Sequence, residues 1–305
     1  MTRRPTVAHR APMVLGLAFI AIVASALGWH LYQTGRGPAL VEPSVEIERT
    51  NRETVPLYGL LEADLRVEAN FENPFDPKEV SVTAVFTCPS GRVVDIPAFY
   101  FQDFNRTLAG DEERLSAFGD PCWKVRFAPT EIGEYTFYAR LEDEGEVVAS
   151  NAASFSVSAS DSRGFVGTST RDNRYFQFDN GISFFFIGHD VCWFGSKGTY
   201  DYDTYFSSMN LNGEKITRIW MAPWAFGIEW EELGQYDLAE AWRLDYVLEK
   251  ARETDIYVLL CLMNHGQLQS GGDTGQWNDN PYSAANGGPL ANPADFWKDE
   301  TAIEL

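Results

Sequence analysis

The chain has 305 residues, 45% of them hydrophobic, which is enough to bury a sizeable core and too apolar for a disordered chain. Its formal net charge is −20, with no basic patch outside the first ten residues. A polyanionic partner such as nucleic acid is thereby excluded, and a neutral or cationic ligand is favoured.

Arg3, Arg4 and Arg10 precede an uncharged apolar run from Met13 to Trp29. The run has no polar face, so it reads as an export signal or a membrane anchor rather than a buried helix. Its length sits at the lower limit for crossing a hydrocarbon layer of ~30 Å, and Ala24-Ser25-Ala26 offers the small-x-small pattern that a signal peptidase accepts. Cleavage and retention both satisfy these residues. In either case the basic flank stays inside and the chain after Leu31 is translocated. The protein is expected to be exported, either secreted or anchored at the outer face of the cytoplasmic membrane, touching a membrane only through residues 1–31 if they are retained. Residues 32–43 combine Gly, Pro and polar residues without periodicity and read as a linker.

Residues 44–158 form a β-rich block. Alternating apolar runs at Val45–Ile47, Leu65–Val67, Val80–Phe86, Val93–Ile96, Lys124–Phe127, Tyr135–Tyr138 and Phe155–Val157 are separated by turn signals at Asn73-Pro74, Pro89-Ser90-Gly91, Gly119-Asp120-Pro121 and Ile132-Gly133-Glu134. About seven short strands without helical period form the pattern of an antiparallel sandwich. Cys88 and Cys122 lie beside two of these strands in an exported protein, with no third cysteine competing, and are expected to form a disulfide.

After Ser158-Ala159-Ser160-Asp161-Ser162 the grammar changes, and strands alternate with helices from residue 163 to 305. Ile182–Gly188 is a continuous apolar run suited to a strand buried on both faces. Tyr202–Leu211 is helical, Ile216–Met221 a second strand, Leu238–Thr254 an amphipathic helix, and Ile256–Met263 a third buried strand. That order implies a parallel sheet with right-handed crossovers. No Gly-rich phosphate loop comes after the first strand, only His189-Asp190-Val191-Cys192-Trp193. Cys192 and Cys261 fall near the ends of non-successive strands and read as buried free thiols. No cysteine or histidine group has zinc-ligand spacing, and neither metal nor cofactor is expected.

Trp193, Trp224, Trp230 and Trp277 fall in the loops after the strands, where exposed rings stack on the apolar faces of sugars, though tryptophans also serve as core. The segment Gly266–Ala291 is too long for an ordinary connection and reads as a lid or cleft wall, with Asn278, Asn280 and Asn286 either donating to hydroxyls or solvated in turns. Glu229, Glu231 and Glu232 read as a solvated face.

Two resemblances bear on function. The block carrying Asn73-Pro74-Phe75, Pro89-Ser90-Gly91, Phe99-Tyr100 and Trp123-Lys124-Val125-Arg126-Phe127-Ala128-Pro129 resembles the Ig-like domain that precedes catalytic barrels in many bacterial glycosidases. The second half is similar to the start of a family 5-type (clan A) glycoside hydrolase barrel. The carriers are Phe186–Trp193, Ile216–Trp220 and Leu260–Gly266, among them Asn264. Together they imply a multidomain chain, an all-β Ig-like sandwich followed by an incomplete (β/α)8 TIM barrel. The resemblance gives Arg218 the role of the second-strand arginine that stabilises a nucleophilic carboxylate, and His265 that of the third-strand histidine lining the sugar site. Asp190 departs from the family pattern, in which Asn is commoner. All three fall near the C-terminal ends of predicted parallel strands, where barrel enzymes place their chemistry. A structural ion pair for Arg218 and a loop histidine at 265 are the alternatives. Asp190, Trp193, Trp224, Asn264 and Trp277 are the candidate substrate contacts.

Retaining glycosidases use two carboxyl groups about 5 Å apart. By analogy these come from the fourth and seventh strands, so both catalytic glutamates are expected outside these residues. The expected function is hydrolysis of O-glycosyl bonds in a polysaccharide or oligosaccharide. The competing expectation is an exported, non-catalytic carbohydrate-binding or cell-surface module.

Overall fold

The computed structural model describes residues 41–143 and 145–304; the expected export segment and residues 32–40 of the linker lie outside them. The described chain is mostly β-structure in several sheets, with few helices and no closed barrel among the described residues. None of the described helices is long and apolar enough to cross a membrane.

Residues 44–158 form two sheets around one core. The first has the order β1 (Ser44–Thr50), β3 (Leu61–Glu68), β7 (Glu112–Phe127), β6 (Phe99–Ala109), antiparallel throughout. The second has the order β2 (Thr54–Pro56), β10 (Ala153–Ser158), β8 (Gly133–Asp143), β4 (Val80–Thr87), β5 (Val93–Pro97), with β9 (Glu146–Ala149) paired to β8. Period-two alternation turns Leu61, Ala63, Leu65, Trp123, Val125 and Phe127 of the first sheet towards Val82, Ala84, Phe86, Phe137 and Leu141 of the second. Phe86 stacks between Phe127 at 4.2 Å and Phe137 at 4.8 Å. The buried Tyr135 hydroxyl accepts from the Glu131 N–H at 3.0 Å, so burial leaves it no unmet polar cost.

The same alternation corrects the expected disulfide. Cys88 is buried in the core between the sheets. Cys122 precedes the inward-facing Trp123, so its side chain points out of the sandwich with Lys124 and Arg126, in the field of Arg49, Glu62 and Asp64. A sheet separates the two sulfurs, and both thiols are free.

Strands β6 and β7 run longer than their apolar patches indicated. Gly119-Asp120-Pro121, read as a turn, is instead a bulge: Phe101 pairs with Cys122 and Asp103 with Phe118, so the extra residues face Gln102 alone. The Gln102 amide, itself buried, donates to the carbonyls of Asp103, Phe118 and Gly119 and closes the bulge. The tip of this hairpin reaches helices α1 (Thr199–Leu211) and α2 (Leu238–Glu253). There the buried Glu113 carboxylate accepts from the Thr199 N–H at 3.0 Å, from the Thr199 hydroxyl, and from Arg243 Nε at 2.7 Å. An anion is thus held against the N-terminus of α1, where the helix dipole favours it. Gly198 makes room: its φ is 56°, and a Cβ there would lie 2.2 Å from Glu113 Oε2. Nearby, the Arg106 guanidinium lies 3.9 Å from both the Tyr200 and Tyr246 rings and pairs with Asp203 at 2.8 Å. Arg126 bridges Glu62 and Asp245, and Trp242 Nε1 donates to Asp103 at 2.8 Å.

The second half opens with an antiparallel sheet of β11 (Val166–Thr168), β12 (Phe176–Phe178) and β13 (Ser183–Phe184). Strands β14 (Ile216–Trp220) and β15 (Tyr257–Cys261) then form a parallel pair, as the alternation of strands and helices predicted. Ile219, Val258 and Leu260 pack towards Tyr202, Phe206 and Val247 of the two helices. Asp237 caps α2 by accepting from the N–H groups of Ala239 and Glu240.

The expectation of a first buried parallel strand at Ile182–Gly188 is corrected. Only Ser183–Phe184 is strand, it pairs antiparallel with β12, and residues 185–188 belong to no ladder. Phe185 and Ile187 are 84% and 69% exposed, so the run is not covered on both faces. The chain then passes beside β14 with sparse contacts: Lys215 N donates to Ile187 O, Val191 N to Thr217 Oγ1, and Trp220 N to Cys192 O. At the closest point a Cβ on Gly188 would lie 1.7 Å from Ile216 O. The parallel sheet is therefore two-stranded rather than three-stranded, and the side of β15 away from the helices leaves Leu259 open.

Candidate functional site

Residues 187–193 run alongside β14 from its start to its end, and their last residues meet residues 221–237 and 262–267 at the C-terminal ends of β14 and β15. Along β14, Thr217 and Ile219 face the helices and are buried, so Arg218 and Trp220 face the open side. The carboxylate that Arg218 requires is Asp190, which takes Arg218 Nη2 at 2.7 Å. Both side chains are about half exposed, and the Asp190 charge raises the proton affinity of the guanidinium further. An ion pair this open adds little to stability. Arg218 Nε, in contrast, is buried without a partner.

Cys192 and Cys261 flank Trp220, one through the Trp220 N–H and the other as its register partner in β15. Burial first, then the Asp190 charge, pushes the Cys192 thiol up, which keeps it protonated and a poor nucleophile. Two strand spacings of ~4.8 Å separate positions on either side of a central strand, too far for a disulfide. Both are free thiols, half-buried rather than fully buried.

An aromatic wall adjoins the ion pair. Trp193 lies 5.4 Å from Trp220 and 5.7 Å from Trp224, Trp220 lies 5.8 Å from His265, and the Arg218 guanidinium carbon is 5.6 Å above the Trp220 ring. Trp193 and Trp224 remain 44% and 48% exposed, so their rings can receive a ligand. Trp224 is held at the tip of a tight turn, with Ala222 and Ala225 exchanging backbone hydrogen bonds at 2.8 and 2.9 Å across Pro223-Trp224. The next residue, Phe226, is buried with φ 61°, and its N–H donates to Glu240 at 2.9 Å. A non-glycine residue in that region is costly and is sustained here by burial and the carboxylate. Trp220 was not singled out from the sequence, although its position two residues after Arg218 in a strand places both on one face.

Other candidates sit elsewhere. His265 is exposed at the edge of the wall. Asn264 is buried; its Oδ1 accepts from the N–H groups of Gly266 and Gln267, fixing the turn after β15, while its Nδ2 has no partner. Trp277 does not offer a sugar platform. It is 5% exposed and packs with Tyr282, Leu290 and Phe296, because the segment 266–291 folds onto its own small core instead of hanging free as a lid. Asn280 and Asn286 spend their amides on Gln267 O, Asn278 O and Asn280 O within that segment. Glu231 and Glu232 are exposed as read, but Glu229 is not. Burial pushes its carboxyl up, against donation from Gly234 N at 2.8 Å and the Tyr282 hydroxyl at 3.3 Å. It lines a cavity of about 100 Å³ with Trp230, Gln267 and Tyr282 beside the strand ends. Among the described residues, no group of His, Cys, Asp and Glu is arranged to hold a metal ion.

Residues 54–142 match the family described as Domain of unknown function (DUF5060), a span running from β2 to β8. A presumed glycoside hydrolase from Bacteroides vulgatus is similar in structure, with a TM-score of 0.52 at 15% identity, over 69% of this chain and 41% of that one. This chain thus matches less than half the length of that protein, and at that identity the likeness is one of fold alone. A family 39 glycoside hydrolase from Bacteroides cellulosilyticus (12% identity, 71% of this chain and 33% of that one) and a family 5 xyloglucanase from Bacteroides ovatus in complex with a heptasaccharide (11%, 71% and 45%) align at TM-scores of 0.20, too low to carry an argument. No curated protein matches the sequence. The fold is glycoside hydrolase-like, and the activity does not follow from it.

Proposed function

We propose that this chain is the N-terminal part of an exported glycoside hydrolase acting on a neutral polysaccharide or oligosaccharide, with an Ig-like sandwich over residues 44–158 and the beginning of a TIM-type barrel from residue 163. The observation that carries the proposal is the Asp190–Arg218 pair beside the open rings of Trp193 and Trp224 at the C-terminal ends of two parallel strands. A planar guanidinium and a carboxylate hold hydroxyls in fixed directions, and indole rings take the apolar face of a pyranose. The exposed Phe185, Ile187, Leu259 and Leu262 support further strands covering the open face. On this reading the acid/base and nucleophilic carboxyl groups arise on those strands, and Arg218 stabilises the nucleophile as its charge changes. The N-terminal basic-then-apolar segment supports export, with release or anchoring depending on cleavage.

The test is hydrolysis of neutral polysaccharides and aryl glycosides by the full-length gene product. Turnover that falls about a hundredfold or more in Arg218→Ala, with the sandwich still folded, is the expected result. Unchanged turnover in that variant would remove Arg218 from the chemistry. Sugar binding that depends on Trp193 and Trp224, with no hydrolysis across the panel, would favour the reading as a carbohydrate-binding module.

A further inference from the structure

The aromatic wall beside the ion pair is held from outside the strand ends. The turn that presents Trp224 runs into Phe226, whose φ of 61° a bulky residue keeps only under constraint. Its N–H is fixed by Glu240 Oε2 at 2.9 Å. The other Glu240 oxygen accepts from Arg243 Nη1, and Arg243 Nε donates to Glu113 Oε2 at 2.7 Å. One guanidinium therefore joins a carboxylate of helix α2 to a buried carboxylate of strand β7, across the seam between the sandwich and the second half. Glu113 is itself fixed, because its second oxygen accepts from the Thr199 N–H and hydroxyl. The Trp193 segment leans on the same residues. The Glu113 N–H donates to Ser196 O at 3.2 Å, and the Arg243 guanidinium lies 5.9 Å from the Phe194 ring, which meets Phe226 edge-on at 5.1 Å.

We propose that Glu113 is a positioning residue for the Trp224 ring, acting through Arg243, Glu240 and the Phe226 N–H. The sandwich thereby shapes the ligand-binding wall without touching the ligand; its bearing on sugar binding rests on the reading of Trp193 and Trp224 as a sugar platform. The device is a shared cation. Arg243 has a rigid fork between two carboxylates, so each anion limits how far the guanidinium can rotate for the other. Without the Glu113 charge, Arg243 follows Glu240 as that side chain moves, and the Phe226 N–H loses a fixed acceptor. A backbone held in a costly region then relaxes towards negative φ. Trp224, two residues earlier on the same tight turn, leaves its place 5.7 Å from Trp193. The other cations that cross the seam, Arg106 and Arg126, end on Asp203 and Asp245, which among the described residues make no hydrogen bond to residues 222–226.

The experiment labels the full-length gene product with 5-fluorotryptophan, assigns the Trp224 resonance by its loss in Trp224→Phe, and titrates xylotetraose and cellotetraose. Glu113→Gln keeps the shape of the side chain and removes its charge. It is expected to shift or broaden the Trp224 resonance and to weaken sugar binding about threefold or more. In an Arg243→Met background, where the link is already cut, Glu113→Gln should move the resonance no further. Asp245→Asn breaks an ion pair across the same seam but off this path, and should leave the resonance in place. Should Glu113→Gln fail to fold, Arg243→Lys, a cation without the fork, takes its place and should move the resonance likewise. A Trp224 resonance unmoved by these variants, an equal displacement in Asp245→Asn, or additive displacements in the double variant would each overturn the proposal. Sugar affinity intact in Glu113→Gln would also overturn it, while leaving the sugar platform standing. A parent that binds neither sugar, with Trp224 still moved by Glu113→Gln, would sink the platform and uphold the positioning.

Discussion

The sandwich and the second half treat their apolar and acidic side chains in opposite ways. In residues 44–158 each sheet lends one face to a common core, and the outward acids Glu62 and Asp64 are matched by cations. Burial alone would raise Glu62 and Asp64, but hydrogen bonds from Lys124 and Arg126 to Glu62, and from Arg49 and Lys124 to Asp64, hold both below the usual carboxylate range. In the second half the parallel pair packs its helices on one side only, leaving Leu259 and Leu262 56% and 73% exposed. There Glu229, Glu240 and Asp245 are pushed up by burial that their partners do not offset. The first region is arranged for its own stability. The second keeps open surface, and one of its acids with raised proton affinity, Glu229, lines the cavity beside the strand ends.

The contrast is broken most strongly from the core. Phe137→Ala removes a ring stacked in the centre of the sandwich and should cost about 3–5 kcal/mol by urea denaturation. Glu113→Ala strikes the seam. Arg243 keeps Glu240, but the α1 N-terminus loses its anion, and a loss of about 3 kcal/mol is expected by the same measurement. A smaller effect comes from pH. Because Glu62 and Asp64 have lowered values in the folded state, their contribution is complete above the ordinary carboxylate range and is lost as pH falls through the folded values. Glu229, Glu240 and Asp245 carry the opposite sign: stability associated with their protonated forms is lost as pH rises through their elevated values. Urea midpoints measured at successive pH values should therefore fall on the acid side, and Glu62→Gln should flatten that limb. An unchanged acid limb in Glu62→Gln would take Glu62 out of the account. The smallest effect is expected at Leu262→Ser, within about 0.5 kcal/mol of the parent because no described neighbour covers that side chain. A large loss there would mean that the open face is covered in solution.

Regions with local periodicity were legible in the sequence. Alternation located the core strands, and the 3.6-residue pattern located α2 within a residue. Arg218, the need for a carboxylate beside it, and the exposed Trp193 and Trp224 were also legible, because strand ends and loop positions follow from element order. What failed depended on which face a residue takes or what lies across from it. The Phe184-Phe185-Phe186 run has the composition of a buried strand, but only Phe184 is buried, against Phe178 and Tyr257, while Phe186 is half-buried and Phe185 open. Cys88 and Cys122 both border strands, and only the register of β7 shows that they point to opposite sides. Trp277 sat in a polar loop whose local core is assembled from residues as distant as Phe296. Glu229 looked like its two acidic neighbours until Tyr282 closed over it.

The β6–β7 hairpin has a consequence for where this protein can be cut. The change of grammar at residues 158–162 looks like a module boundary, yet the contacts of Glu113, Arg106 and Arg126 cross it. A sandwich excised at residue 158 would carry those side chains into water without their partners, and the helices left behind would lose the cation held between two tyrosines. Residues on both sides of the apparent boundary should therefore melt as one cooperative block, with amide exchange in α1 slowed by a strand more than eighty positions earlier in the chain. In a chimera, the hairpin would have to travel with the helices it grips, and a sandwich exchanged without regard to it would import a mismatched seam.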